Sequence, residues 1–168
     1  SGMTGLADAV HHKANVLVVI MDNSTTAMTG HQDNPGMDPA FYGLDKKKID
    51  IESVVRAMGV EDIHVVKAFN QKAVKYATEE AMAFKGVSVI IANEPCPLFA
   101  KRTGTFVKRK PFEVKIDSCN SCKSCITEIA CPAFYLDQED RPAINSDLCV
   151  SCTLCVQICP EKAIKVAN

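Results

Sequence analysis

Apolar and polar positions fall into blocks along the chain, and the spacing inside each block names the element it predicts. From Gly5 to about Lys13, Leu6, Ala9 and Val10 share one helical face, whereas Val16 to Met21 is a continuous apolar run rich in β-branched residues, the pattern of a strand buried on both faces. Ile51, Val54, Val55 and Met58 recur at i, i+3, i+4 and i+7, which predicts a helix stopped by Gly59. Ile63 to Lys67 reads as a second short strand. Gln71 to Lys85 places Val74, Ala77, Ala81 and Phe84 on one stripe before Gly86, and Val87 to Ala92 reads as a third buried strand. Strand and helix alternate, so the fold class is α/β with a parallel sheet. Ligands of such sheets sit beyond the carboxyl ends of the strands, which is where Asp22 to Gln32 must lie.

Residues 22–48 carry Asn34, Pro35, Gly36, Pro39 and Gly43 as breakers and predict a long loop, a feature that is usually functional inside a compact domain. Five basic residues (Lys101, Arg102, Lys108, Arg109 and Lys110) mark residues 101–115 as a linker. It is either a solvated connector or a docking surface for an acidic partner or cofactor phosphates.

Composition narrows the class. Hydrophobic residues make up 47% and charged residues 23% of the 168 residues, which is ordinary for a globular protein. A net charge of −1 gives no electrostatic case for nucleic acid. No apolar run approaches the roughly 20 residues of a membrane span. No leader pattern opens the sequence, so the expected location is cytoplasmic.

Cysteine is the outlier, with nine residues, eight of them between Cys119 and Cys159. Their tight, repeated spacing in a reducing compartment favours metal over disulfides. Cys119-x2-Cys122-x2-Cys125-x5-Cys131-Pro132 is followed by Cys149-x2-Cys152-x2-Cys155-x3-Cys159-Pro160. Three thiolates at two-residue intervals wrap one face of an iron-sulfur cubane, and in a double run the fourth cysteine reaches the other cluster. The assignment is Cys119, Cys122, Cys125 and Cys159 for one [4Fe-4S] cluster and Cys149, Cys152, Cys155 and Cys131 for the other. A four-cysteine zinc site is the alternative, but zinc needs neither consecutive two-residue spacings nor a terminal Cys-Pro. Over about 50 residues this segment resembles bacterial two-cluster ferredoxins, apart from the five residues Ile126 to Ala130 where three are usual. Cys96 stands apart, between two prolines, and reads as a buried small hydrophobe.

The amino-terminal part must supply the electrons. No Gly-x-Gly-x-x-Gly, Walker lysine or Gly-x-Ser-x-Gly is present, which leaves dinucleotide, P-loop and serine-hydrolase chemistry unsupported. Asn23 and Thr25 instead offer hard, neutral oxygens that suit Mg2+ held mostly by phosphate.

The stretch "MDNSTTAMTGHQDNPG" resembles the second half of the thiamine-diphosphate and magnesium motif of 2-oxoacid:ferredoxin oxidoreductases. With "EPCPL" and the two cysteine runs it is most similar to the alpha subunits of the indolepyruvate type, in order along the whole chain. The resemblance implies a partial doubly wound, thiamine-diphosphate-binding parallel sheet over residues 1–100 and a C-terminal α+β ferredoxin-like 2[4Fe-4S] domain over residues 116–168. It implies that Asn23 gives its side-chain oxygen and Thr25 its backbone carbonyl to Mg2+. Met28, Thr29 and the loop to Gln32 then approach the diphosphate or the substrate. His31 is the candidate catalytic residue, polarising a 2-oxoacid or a phosphate, or else a loop histidine bonded to its neighbours. The implied reaction is oxidative decarboxylation of a 2-oxoacid (an indolepyruvate or arylpyruvate) with coenzyme A, electrons passing through two clusters to an external ferredoxin. The family's Gly-Asp-x element and its activating glutamate are not in this sequence, so the remaining segments or subunits of the oxidoreductase are expected partners. Two rivals stand beside it: an electron-transfer subunit whose α/β part is only a docking scaffold, and a non-oxidative thiamine decarboxylase.

Overall fold

The computed structural model describes residues 2–37, 47–104 and 110–167. Pro39 and Gly43 of the long loop, and Lys108 and Arg109 of the basic stretch, lie outside the described residues. The chain forms two compact units, residues 1–103 and 104–168.

In the first unit, helix α1 (Gly2–His11) leads into strand β1 (Val16–Asp22), and helix α2 (Ile51–Ala57) into β2 (Asp62–Val66). Helix α3 (Gln71–Ala83), strand β3 (Val87–Asn93) and helix α4 (Pro97–Thr103) follow. The strands form a parallel sheet in the order β1-β3-β2, with Val19 opposite Ile90 and Val65 opposite Ile91. Asp50 caps α2 by accepting the Glu52 N–H, and Gly59, with φ 89°, closes it in a conformation that costs glycine nothing.

Leu6 of α1 and Val55 of α2 pack with Val87, Val89 and Ile91 on one face of the sheet, while Ala77 and Ala81 of α3 pack on Ile90 of the other. Only β3 is buried on both faces. The expectation that β1 is equally buried is corrected: β1 is an edge strand, and Val19 and Met21 are exposed. An apolar run reports affinity for a sheet interior, but whether a neighbour covers it depends on strand order, which the run does not encode.

Polar groups that enter the sheet are paired. Ser88 donates to Asp62, whose carboxylate also meets His64 Nε2 at 3.2 Å, and Tyr76 donates to Glu80 at 2.6 Å. His64 Nδ1 lies 3.8 Å from Glu80 Oε2, so this chain of contacts ties β2, β3 and α3 at the end of the sheet away from the long loop.

The second unit is built from short pieces. Strand β4 (Phe112–Val114) pairs antiparallel with β7 (Ile164–Val166), and β5 (Phe134–Leu136) with β6 (Pro142–Ile144). Helices α5 (Ser124–Thr127) and α6 (Leu154–Ile158) each follow a cysteine loop. Its core is Cys125, Cys155 and Ile164, joined by Phe112, Val114, Phe134 and Ile144. Of the stretch 101–115, residues 101–103 lie in α4 and 112–114 in β4.

Candidate functional site

The first candidate site grows from the carboxyl end of β1. Asp22 holds the strand end: Oδ1 accepts the Ser24 N–H at 3.0 Å, Oδ2 accepts from Asn93 Nδ2 at 2.7 Å, and its carbonyl accepts the Glu94 N–H. Ser24 adopts φ 59°, and the kink brings Asn23 and Thr25 into one turn, where Asn23 Oδ1 accepts the Thr25 N–H at 3.2 Å. The Asn23 carbonyl in turn accepts the Cys96 N–H at 2.9 Å. Thr25 is buried and donates through Oγ1 to the Gln32 carbonyl.

Thr26 and Gln32 exchange both backbone hydrogen bonds, at 3.0 and 3.2 Å, so residues 26–32 close into a tight hairpin loop. Gly30 (φ 112°) and His31 (φ 60°) turn it. Thr29 Oγ1 donates to Gln32 Oε1, and Met28 is 99% exposed on the tip. The loop therefore separates its sequence candidates. Met28 and Thr29 ride the outer part, whereas the His31 ring stacks on Phe99 and its Nε2 lies 3.9 Å from Cys96 Sγ. Cys96 is only half-buried, in contrast to the buried hydrophobe expected. Sequence reading missed α4 and its fully buried Phe99; the available signal was Pro97, which stands at the first helical position.

As a Mg2+ donor set the turn fits half a site. Asn23 Oδ1 accepts one hydrogen bond and has a second lone pair for a cation. Each Asp22 carboxylate oxygen accepts one hydrogen bond that holds the strand end. What the turn presents is neutral oxygen, which suits an ion whose charge is met mainly by phosphate.

The second candidate site is the cysteine unit. Its two loops repeat in backbone as in sequence: Ser121 and Lys123 have φ 56° and 62°, and their counterparts Ser151 and Thr153 have 53° and 70°. Left-handed residues at alternate positions curl a short loop so that its amides face its own concave side. Amides reach sulfur directly at Ser121 N to Cys119 Sγ, 3.4 Å, and at Ala163 N to Cys159 Sγ, 3.3 Å. After each Cys-Pro the chain turns the same way, Phe134 N–H to the Cys131 carbonyl and Lys162 N–H to that of Cys159. The longer first run is absorbed at Ala130, whose φ of 50° reverses the chain just before Cys131.

Cys159 of the second run lies beside the first run. Cys119, Cys122, Cys125 and Cys159 line one cavity. Burial raises the Cys125 thiol, and the charges of Cys119, Cys122 and Cys159 raise it further. Burial pushes Cys155 up to about 12, with Cys152, Cys149 and Cys131 adding to the shift. Cys152 is raised by burial and then by Cys131 and Cys149. Cys122, which is exposed, is lowered by the N–H and hydroxyl of Ser124. Each set of four is thus one electrostatic group, and thiols that oppose each other's ionisation accept a multiply charged iron centre readily. Among the described residues no three Cys, His, Asp or Glu side chains are grouped to hold a single metal ion.

Among the described residues no helix is long and apolar enough to cross a membrane. Comparison with known proteins agrees with both halves. The family model "Thiamine pyrophosphate enzyme, C-terminal TPP binding domain" matches residues 1–92, and "4Fe-4S binding domain" matches residues 142–165. Indolepyruvate oxidoreductase subunit IorA of Archaeoglobus fulgidus is 39% identical over 172 residues, which cover 100% of this chain and 27% of that protein. Its counterpart in Thermococcus kodakarensis is 37% identical over 98% of this chain and 26% of its own length. Pyruvate synthase subunit PorD of Methanothermobacter marburgensis is 38% identical over 44% of this chain and 85% of its own. The chain therefore spans about a quarter of the IorA proteins it matches.

Proposed function

This chain belongs to the thiamine pyrophosphate enzymes, through their C-terminal TPP-binding domain, and we propose that it is part of a 2-oxoacid:ferredoxin oxidoreductase of the indolepyruvate or arylpyruvate type. The observation that carries the reading is the union, on one chain, of a thiamine-diphosphate half-domain with eight cysteines set in two crossed groups. A decarboxylase that releases its product without oxidation has no use for such an electron path. The whole enzyme converts a 2-oxoacid, coenzyme A and oxidised ferredoxin to an acyl-CoA, CO2 and reduced ferredoxin in the cytoplasm.

Bound thiamine diphosphate supplies the carbon nucleophile that permits loss of CO2. The chain's own residues bind and orient. Asn23 through Oδ1 and Thr25 through its carbonyl would hold Mg2+, an ion that would bind the cofactor's diphosphate. The loop of Met28 and Thr29 shields the reacting end of the cofactor from water, and His31 donates a hydrogen bond to an anionic oxygen of substrate or diphosphate. Cys119, Cys122, Cys125 and Cys159 would hold one [4Fe-4S] cluster and Cys149, Cys152, Cys155 and Cys131 the other, and such clusters would supply single-electron acceptance.

The test is viologen reduction by the complete complex, purified without oxygen and given arylpyruvates, coenzyme A, Mg2+ and thiamine diphosphate. Reduction that requires all four supports the proposal. Clusters present without 2-oxoacid-dependent reduction would instead make this an electron-transfer subunit with a docking scaffold.

A further inference from the structure

His31 sits in a conformation that demands a reason. A φ of 60° is uncommon for a non-glycine residue and persists where its surroundings over-determine it. Here they do. The Thr26–Gln32 pair closes the loop around it. Its ring stacks on Phe99 with centroids 5.7 Å apart and planes at 29°, and Cys96 Sγ lies 3.9 Å from Nε2. Both partners belong to residues 94–99, a segment itself fastened to the end of β1: the Glu94 N–H donates to the Asp22 carbonyl and the Cys96 N–H to the Asn23 carbonyl. Phe99 is fully buried and gives a fixed platform.

We infer that Cys96 and Phe99 are positioning residues that lock the His31 imidazole to the turn carrying Asn23. Cys96 is the joint, with its amide on Asn23 and its thiol on His31. With the thiol as donor to Nε2, the ring's donor is Nδ1–H, and its direction is fixed. The segment Glu94–Phe99 thereby couples two parts of the site that lie far apart from it in sequence. What His31 donates to rests on the proposed thiamine-diphosphate function; the Cys96–His31 pairing does not.

The test uses the complete oxidoreductase with Cys96→Ala, Cys96→Ser, His31→Gln and the Cys96→Ala/His31→Gln double variant. Cys96→Ala keeps the backbone amide on Asn23, so the thiamine diphosphate Kd and the 2-oxoacid KM stay within about twofold while kcat falls about 10- to 100-fold. Cys96→Ser, which restores a donor, recovers kcat to within a few-fold. In the His31→Gln background Cys96→Ala has no further effect. Equal losses in the Ala and Ser variants accompanied by weaker cofactor binding would overturn the inference in favour of packing alone, and multiplying losses in the double variant would show the two residues acting independently. A second readout needs no turnover: alkylation of Cys96 by iodoacetamide, followed by peptide mass spectrometry, changes at least about fivefold in His31→Gln. An unchanged rate overturns the pairing. If the wild-type complex reduces no dye with any 2-oxoacid, the kinetic comparison fails together with the proposed function, and the alkylation rate still decides whether Cys96 engages His31.

Discussion

Cys131→Ala is expected to empty the cage of Cys149, Cys152 and Cys155 and to spare that of Cys119, Cys122 and Cys125, although Cys131 stands much nearer to Cys125 in sequence. The reason is the crossing: the charge of Cys131 acts on Cys152 and Cys155, whereas that of Cys159 acts on Cys125. The two proposed clusters would contribute about eight iron atoms from this unit, so each single ligand variant is expected to lose up to about four, with matching sulfide. Iron and sulfide analysis of the anaerobic enzyme gives the count, and electron paramagnetic resonance of the reduced enzyme tells which cluster remains. Cys155→Ala and Cys122→Ala supply the two reference spectra. Cys131→Ala must match Cys155→Ala, and Cys159→Ala must match Cys122→Ala. The opposite matching would refute the crossed cage, and recovery of zinc with no sulfide would refute clusters altogether.

The two cages also differ in shelter. Cys122 is exposed while its counterpart Cys152 is half-buried, so brief exposure to air is expected to bleach the Cys122-held cluster first, with the Cys122→Ala spectrum identifying the survivor. At the strand end, Asn23→Ala removes a proposed Mg2+ ligand and is expected to weaken thiamine diphosphate binding about 10- to 100-fold in the complete enzyme. Thr25→Ala retains the proposed carbonyl ligand and loses only the Oγ1 bond to Gln32, a cost of about 1 kcal/mol, so isothermal titration should show a change of less than about tenfold. In the sheet, Ile90→Ala is expected to cost about 2–5 kcal/mol, because Ile90 is buried against Ala77 and Ala81 of α3. Its neighbour across the ladder, Val19, is exposed, and Val19→Ala should fall within about 0.5 kcal/mol. Thermal unfolding of the chain distinguishes the pair, and equal losses would contradict the assignment of β1 to a bare edge.

Much of this protein was legible before any coordinates. The periods that predict α2, α3 and the three strands recur in the structure within a residue or two, because periodicity is set by backbone geometry and needs no knowledge of the neighbours. The thiamine and iron-sulfur resemblances rested on short contiguous motifs, and the matched domains agree with them. Cysteines spaced by two residues announce a metal loop for the same local reason.

Relations between segments were decided elsewhere. Strand order left β1 on the edge and gave β3 the interior, since the same apolar run serves either place until partners are chosen. Asp22 closes the predicted strand in sequence, and only the fold shows that its two carboxylate oxygens tie Ser24 and Asn93 to the strand end. Cys96 resembles an isolated small hydrophobe, but residues 94–99 bring it and Phe99 against His31, more than sixty positions earlier in the chain. The sequence by itself determined the elements, the two domain types and the candidate ligands, because these are encoded in neighbouring residues. Only the tertiary structure decided which polar groups are already satisfied and which remain for a ligand, because a hydrogen bond is a matter of a few tenths of an ångström between segments that meet only when the chain has folded.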